Sequence, residues 1–256
     1  IENIFLKEFI KSLKEISTFV VDQKSQKLKI ILATRSKAEL KNTKLYDYIT
    51  WGEKEGFHKN PTCLARKSDN RDWFYLENIS GEYLFNMSTG DRYLVPYNPN
   101  LLPIDARLYA IKLKQHLSVE KQIALGAILN SSYLPLFYEI FGRPMTGSLP
   151  LLDLKVYELL EFISIINLNC FSNKCLSLII NIVSDFKKRT IRNIFEEFGF
   201  KKDILIREQI PNPLPDRKAL DDIVFDALGL TEEERKEVYW AIAELVQNRL
   251  QKAKSV

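Results

Sequence analysis

Apolar side chains recur at steps of three and four residues from Ile4 to Val20. This spacing puts them on one stripe of an α-helix, with Lys7 and Lys11 on the opposite face. The pattern therefore predicts an amphipathic helix over residues 1–21. Because such a stripe must pack on another surface, we expect either the rest of this chain or a preceding domain to cover it.

Shorter apolar runs replace this pattern further along the chain. They are rich in aromatic and β-branched residues, and breaks containing Asn, Gly or Asp separate them, which is typical of strands. The predicted strands are residues 28–33, 73–76, 83–85, 93–97 and 108–113.

Helical spacing returns after Ser118, a predicted N-cap. Two segments, 119–130 and 133–141, are separated by polar residues that we expect to act as local caps. Residues 172–188 form a predicted buried helix. Residues 151–166 fit either a strand or a helix.

Prolines interrupt the chain again near its end and predict a semi-rigid spacer over residues 211–215. A helix over 216–228 follows, and Gly229 is its predicted C-cap. The last helix begins at Thr231, which forms a capping-box pattern with Glu234.

These patterns together predict an α+β fold, in which a strand-rich N-terminal half with flanking helices is followed by an all-helical C-terminal part. The predicted division has three parts. After the helix over 1–21 comes a mixed domain over 22–168, and then a helical domain over 169–256 that includes the proline-rich linker 211–215.

Composition is that of an ordinary globular protein, because 46% of the 256 residues are hydrophobic and 27% are charged. The net charge of +4 lies entirely in residues 1–60, which carry 12 Lys or Arg against 8 Asp or Glu. A linear count does not reveal whether these cations share one face. The charge therefore permits nucleic-acid binding without requiring it.

Membrane and disulfide classes are excluded by the sequence. The longest apolar stretches, 149–154 and 176–183, fall well short of the ~20 residues that cross a bilayer, and no signal segment opens the chain. None of Cys63, Cys170 and Cys175 lies in a C-x-x-C motif. We therefore expect a cytoplasmic protein with no membrane contact and no cysteine zinc site.

Motifs for catalysis and cofactor binding are absent. None of the nine glycines lies in a G-x-G, so neither a dinucleotide turn nor a glycine-rich S-adenosylmethionine loop is predicted. His58 and His116 lie far apart and lack metal-ligand spacing. Three Asn-Pro pairs occur, and none continues as N-P-P-[YFW], the motif that holds an exocyclic amine for methyl transfer. We expect no catalysis, cofactor or metal in this chain.

Several segments, taken in their order along the chain, nevertheless resemble those of a known family. Residues 51–63, WGEKEGFHKNPTC, with Arg66-Lys67 and the WFYL string at 73–76, resemble the region after the catalytic domain in adenine-specific DNA methyltransferases of restriction-modification systems. The strings LGAILNSSY and FYEIFGR, with residues 149–156, resemble the segment that closes the target-recognition domain of those enzymes. Residues 221–256 are similar to their C-terminal ends.

The resemblance implies a target-recognition and C-terminal region that binds double-stranded DNA sequence-specifically. A flipped adenine would be presented to a methyltransferase domain that precedes this chain and binds S-adenosylmethionine. The chain begins at Ile1 without an initiator methionine, as expected of a fragment. Two other classes stay open: a non-catalytic specificity subunit acting in trans, and an all-helical accessory interaction protein that does not bind DNA.

Residues 57–73 mix cationic, amide and aromatic side chains in a stretch too polar for a core. Arg and Lys neutralise phosphates, and Arg or Asn can make bidentate bonds to base edges. The alternative is a solvated loop whose cations are balanced by Asp69 and Asp72. Trp51 and Trp73 are expected to cover a sheet. The candidate DNA contacts, including two arginines outside this stretch, are His58, Lys59, Thr62, Arg66, Lys67, Asn70, Arg71, Arg92 and Arg143.

Overall fold

A computed structural model describes residues 1–65, 71–145, 149–165 and 168–255, and its fold is α+β, with small sheets and a helical C-terminal part. Contacts between Cα atoms divide the chain into two compact units. Unit 1 comprises Ile1–Ser12, Asp22–Gly81 and Asn100–Asp105, and unit 2 comprises Leu13–Val21, Glu82–Pro99 and Ala106–Val256.

Unit 1 has a two-stranded sheet, two helices and a small core. Strand β1 (Leu6–Glu8) pairs antiparallel with β2 (Lys29–Ile31). Helix α1 (Lys44–Lys54) begins after Thr43, whose hydroxyl accepts a hydrogen bond from the backbone N–H of Tyr46 at 3.1 Å. Helix α2 (Pro61–Ala65) follows. The buried core residues are Phe5, Ala33, Leu40, Leu45 and Ile49.

Unit 2 contains two further sheets in the described part of the chain. Strands β3 (Tyr83–Asn86) and β5 (Leu108–Ile111) pair antiparallel. In the other sheet, β7 (Leu152–Asp153) lies between β4 (Ser88–Thr89) and β6 (Arg143–Pro144), and both pairings are antiparallel.

Helices form most of unit 2, and several begin or end at the predicted caps. The predicted N-cap Ser118 accepts a hydrogen bond from a backbone N–H of the first turn, and Thr231 and Glu234 form the predicted capping box. Ser172, for which no cap is predicted, caps its helix in the same way as Ser118. Gly229 ends its helix in the left-handed region at φ +71°. The helices are α3 (Val119–Leu129), α4 (Tyr133–Phe141), α5 (Val156–Ile165), α6 (Asn173–Phe186), α7 (Ile194–Phe198), α8 (Pro215–Leu228) and α9 (Glu232–Lys254).

The amphipathic helix predicted over residues 1–21 is wrong. This segment contains β1, short 3-10 turns and isolated bridges, and Ile4 is 73% exposed. The N–H groups of Phe9, Ile10 and Val21 donate to carbonyls far along the chain instead of to the preceding helical turn. Distant strand pairing has therefore overridden the three- and four-residue spacing of the apolar residues.

Two predicted strands are reduced to isolated bridges, which involve Leu76 in the first and Tyr97 in the second. For the second, part of the reason is visible, because both backbone polar groups of Val95 bond to the side chain of Asn130. Residues 151–166, which fitted either element, contain strand β7 and then helix α5.

The proline loop packs on α7 in place of forming a free spacer. Backbone N–H groups of Asn212 and Leu214 donate to the carbonyls of Phe198 and Glu197, and Pro215 already belongs to the first turn of α8. Gly199 permits this approach: its φ is +74°, and the Asn212 carbonyl oxygen lies 2.4 Å from where a Cβ would stand. The predicted domain division at residue 168 stays a prediction.

Polar groups are buried where α3 ends and α4 begins, at Asn130, Ser131 and Ser132. The predicted local capping occurs, since Ser131 Oγ donates to the Ile128 carbonyl at 2.8 Å. Residues far along the chain supply the remaining hydrogen bonds at this break. Ser132 donates its backbone N–H to Asp221 Oδ1 at 2.7 Å and its hydroxyl to Oδ2 at 2.6 Å.

A buried ionic network adjoins this break. Arg217 donates to the Asn130 carbonyl and, through Nε at 3.3 Å, to Glu197. Glu197 also accepts two hydrogen bonds from Arg189, at 2.6 and 2.8 Å. Burial acts to raise the pKa of Glu197, but the bonds from Arg189 and the charge of Arg217 outweigh it and hold that pKa below its ordinary value.

In the described part of the chain, no single helix is both long and apolar enough to cross a membrane. Two bent helix pairs pass that test only when each pair is taken together. The same residues contain no group of three or more His, Cys, Asp or Glu side chains arranged to hold a metal ion.

Replacing Arg217 by Met should lower the free energy of unfolding by about 3–5 kcal/mol, because Glu197 loses one cation and the buried Asn130 carbonyl loses its donor. Arg192→Met is the matched control, since this arginine is exposed and its guanidinium pairs with exposed Glu196. The control should change stability by less than about 0.5 kcal/mol. Urea unfolding measures both, and equal effects would contradict the network's role.

Asp221→Asn should remove one pH-dependent component of stability. Burial raises the pKa of Asp221 in the folded chain, against the charge of Arg217 and the hydrogen bonds from Ser132 and Tyr239. The folded state therefore binds this proton more tightly than the unfolded state, whose carboxyl titrates near ~3.9. The stabilisation is complete below that pH and is lost as the pH rises through the folded pKa.

The quantity to measure is the unfolding free energy of the wild type minus that of Asp221→Asn, by urea unfolding at successive pH values. It should fall as the pH rises from about 4. A difference that stays constant or rises would show that the folded pKa of Asp221 is not raised.

Candidate nucleic-acid interface

A chain reversal after α1 positions the first predicted DNA contacts in unit 1. Gly56 adopts φ +80°, a left-handed conformation that favours glycine, and the 3-10 turn Phe57–Lys59 follows it. The turn is closed by the Lys59 N–H, which donates to the Gly56 carbonyl at 2.9 Å. Helix α2 begins at once after Asn60. His58, Lys59 and Thr62 thus lie on consecutive turns.

The three side chains differ in exposure. Lys59 and Thr62 are exposed, whereas His58 is half-buried. Within the described ranges, no ion pair occupies Lys59, so its ammonium group is available to a phosphate. The buried Nδ1 of His58 has no hydrogen-bond partner in the same ranges.

Arg71 is also exposed, and its contacts are weak. Its guanidinium lies over the Tyr75 ring at 5.1 Å, and Nη1 lies 3.4 Å from Glu77 Oε1. Side chains in that ion pair are about half exposed, so it contributes little stability and can exchange for a phosphate or a base. Of the two aspartates expected to balance the cations, Asp69 lies outside the described residues.

Arg66, Lys67 and Asn70 lie outside the described residues as well. Their predicted DNA contacts stay predictions from the sequence.

Arg92, in unit 2, binds its own chain. Its Nη1 donates to the Ile16 carbonyl at 2.9 Å and Nη2 to the Leu13 carbonyl at 2.5 Å. Burial lowers the pKa of this guanidinium. Both terminal nitrogens therefore bind the segment around residues 13–16. A DNA contact of Arg92 would have to use the N–H groups that do not take part in these two bonds.

Arg143 is half exposed at the end of α4, in unit 2. Its Nη2 donates to the Tyr157 hydroxyl and, at 2.5 Å, to Glu158 Oε1, and the guanidinium lies 5.8 Å from the Tyr157 ring. A bidentate bond to guanine needs two neighbouring N–H groups of the fork. Because Nη2 is committed, this geometry favours one phosphate contact through Nη1 or Nε over base reading.

The structure adds one feature that sequence reasoning missed: Tyr48, Trp51 and Phe57 form an exposed aromatic ladder on α1 and the turn that follows. Their exposures are 47%, 47% and 51%. The Tyr48 and Trp51 rings stack at 5.5 Å and 30°, and Trp51 meets Phe57 edge-on at 5.4 Å. Trp51 therefore does not cover a sheet as expected. Its three-residue spacing from Tyr48, within a segment capped by Thr43, was the available signal.

Charged side chains of both signs flank the aromatic ladder. Lys44 precedes Tyr48 by one helical turn, and Lys54 follows Trp51 by three residues. Asp47 and Glu55 lie on the same segment and are exposed. Lys59 follows Phe57 by two residues, and the Glu2 carboxylate accepts a hydrogen bond from the backbone N–H of Lys44 at 2.6 Å, so the charges near the ladder are mixed.

Comparison with known proteins gives one structural relation. No family model matches the sequence, and no curated protein is similar to it. A solved structure, that of the type IIG restriction endonuclease BpuSI, superposes with a TM-score of 0.56 at 13% sequence identity. The match covers 98% of this chain and 26% of that chain, so the chain spans about a quarter of the endonuclease's length. The two chains share this fold over that part of the endonuclease.

If Lys59 contacts a phosphate, replacing it by Ala should weaken binding to all duplexes alike and reduce the slope of log K against log salt concentration by about one unit in magnitude. Fluorescence anisotropy of two unrelated duplexes at several salt concentrations measures this. Lys236→Ala removes an exposed lysine of α9 and serves as control. An unchanged slope for Lys59→Ala would remove Lys59 from the interface.

Proposed function

We propose that this chain is the DNA-recognition part of an adenine-specific DNA methyltransferase of a restriction-modification system. The observation that carries the proposal is the fold shared with BpuSI over nearly the whole chain. The segments that resemble adenine methyltransferases support it independently. Double-stranded DNA and a methyltransferase domain would be the two partners.

Base reading and phosphate binding fall to different residues in this proposal. Exposed and unpaired in the described ranges, Lys59 would bind a phosphate. We assign base reading to Arg66 ahead of Arg71, whose guanidinium already contacts Tyr75 and Glu77. His58, Thr62, Lys67 and Asn70 would complete this face, and Arg143 would add a phosphate contact.

Methyl transfer would take place on a domain outside these 256 residues, where S-adenosylmethionine would supply the methyl group. The residues present do not fit this cofactor. In the described part of the chain, the glycines with positive φ are Gly56, Gly199 and Gly229, and each lies at the end of a helix or turn. None of the nine glycines forms a G-x-G loop.

Selection from a random duplex pool by the 256-residue chain tests the proposal. We expect one short motif to be enriched. Arg66→Ala should cost about 1–3 kcal/mol on that motif and relax one of its positions, with little effect on random DNA. Arg66→Lys keeps the charge but loses the bidentate fork, so it should also relax that position while preserving affinity for random DNA.

Failure to enrich any motif would contradict a sequence-specific role. Enrichment that Arg66→Ala leaves unchanged would keep the role and move the base reader elsewhere.

A further inference from the structure

The aromatic ladder of Tyr48, Trp51 and Phe57 has no role in the contacts assigned so far. Three rings, each about half exposed, stand on one side of α1 and the turn after it. Exposed aromatic side chains in contact with one another are typical of a surface that binds a ligand or a macromolecule.

The helix under the ladder is firmly held. Leu45 and Ile49 of the same helix belong to the core of unit 1. Trp73 packs on Gly52, where a Cβ would lie only 2.9 Å from its ring, and its Nε1 donates to Glu53 at 3.3 Å. Rings on a packed helix lose little conformational freedom when a ligand stacks on them.

Charge and ring geometry favour a nucleotide as the occupant. Lys44, Lys54 and Lys59 border the rings and form no ion pair in the part of the chain that the structure describes. Lysine is depleted from the centre of protein–protein interfaces, whereas cations beside aromatic faces are typical of surfaces that bind single-stranded nucleic acid. The carboxylates of Asp47, Glu55 and Glu2 offset this charge, so the lysines contribute as unpaired cations beside the rings and not through a net positive charge.

Only an unpaired base can use such a surface. Bases in a duplex are stacked on one another, so their faces are closed to side chains. Enzymes that modify a base take it out of the stack, and this leaves unpaired nucleotides in the complex.

We infer that the aromatic ladder stacks on an unpaired nucleotide of the bound DNA, with Trp51 as its central ring and Lys44, Lys54 and Lys59 near the backbone phosphates. The inference rests on the proposed function, which supplies DNA as the partner and a flipped base that leaves a nucleotide unpaired.

The test compares a duplex with the same duplex carrying one unpaired 2-aminopurine, both bound to the full 256-residue chain. Trp51→Ala should weaken binding to the bulged DNA about tenfold and change binding to the perfect duplex less than about twofold. Quenching of the 2-aminopurine fluorescence, which reports stacking, should be lost with it. Tyr48→Ala should act in the same direction, and Trp51→Phe should preserve most of the quenching.

Phe141→Ala is the matched control, because Phe141 is 53% exposed and lies on α4 in unit 2. Thermal unfolding of every variant separates loss of binding from loss of fold. Because Tyr48 and Phe57 are equally exposed, their alanine variants test the ladder even if Trp51→Ala unfolds.

Any one of four results overturns the inference. Ladder variants that bind bulged DNA and quench like the wild type show that the rings do not stack on it. Equal weakening of binding to all DNAs by the ladder variants and by Phe141→Ala would lead to the same conclusion. If the ladder variants keep their DNA affinity but lose association with a separately expressed methyltransferase domain, the ladder is a protein-docking surface. If the wild-type chain binds the perfect duplex and shows no preference for the bulged DNA, the ladder inference is refuted and the proposed function stands. If the chain binds no DNA at all, the proposed function is refuted too.

Discussion

Unit 2 depends on hydrogen-bond partners for the buried backbone groups that two helices leave unpaired where they meet. A helix end inside a protein leaves unpaired N–H and C=O groups, and burying them without partners is costly. Between α3 and α4, Arg217 binds the carbonyl of Asn130 and Asp221 binds the N–H of Ser132. Helix α8 thereby acts as a cap for two other helices at once.

The same residues connect helices α6, α7 and α9 to this point. Tyr239 of α9 donates its hydroxyl to Asp221 at 3.0 Å, and Glu197 of α7 pairs with Arg217. Both Arg217 and Arg189 lie over the fully buried Phe186 ring of α6. Charges buried in this way are stable only as a set, because each is the counterion or donor of another.

Prediction from sequence succeeded where the deciding contacts are local. The capping box of Thr231 and Glu234 acts within one helical turn. The strand at 83–86 lies where its aromatic and apolar residues predict a strand. It failed where distant segments decide. The Asn130 side chain bonds to Val95, 35 residues away, and Ser132 bonds to Asp221, 89 residues away, so neither contact has a local signal. The segment 1–21 was assigned to the wrong element for the same reason.

The candidate DNA face shows the same limit in its charges. The cations of the first quarter were visible in the sequence, but which of them are already engaged was not. Lys37 pairs with Glu53, whereas Lys59 has no ion pair in the described ranges. The sequence pattern predicts that Trp51 covers a sheet, whereas helix α1 exposes its ring beside that of Tyr48.

The spacing of Arg217 and Asp221 also restricts how the length of α8 can vary. They are four residues apart, so one helical turn separates the two side chains on a common face. Inserting or deleting one residue between them would rotate one relative to the other by about 100° around the axis. One of the two would then point away from the α3–α4 break. Substitutions on the outer face of α8 are therefore tolerable during divergence, whereas insertions and deletions between these residues are not.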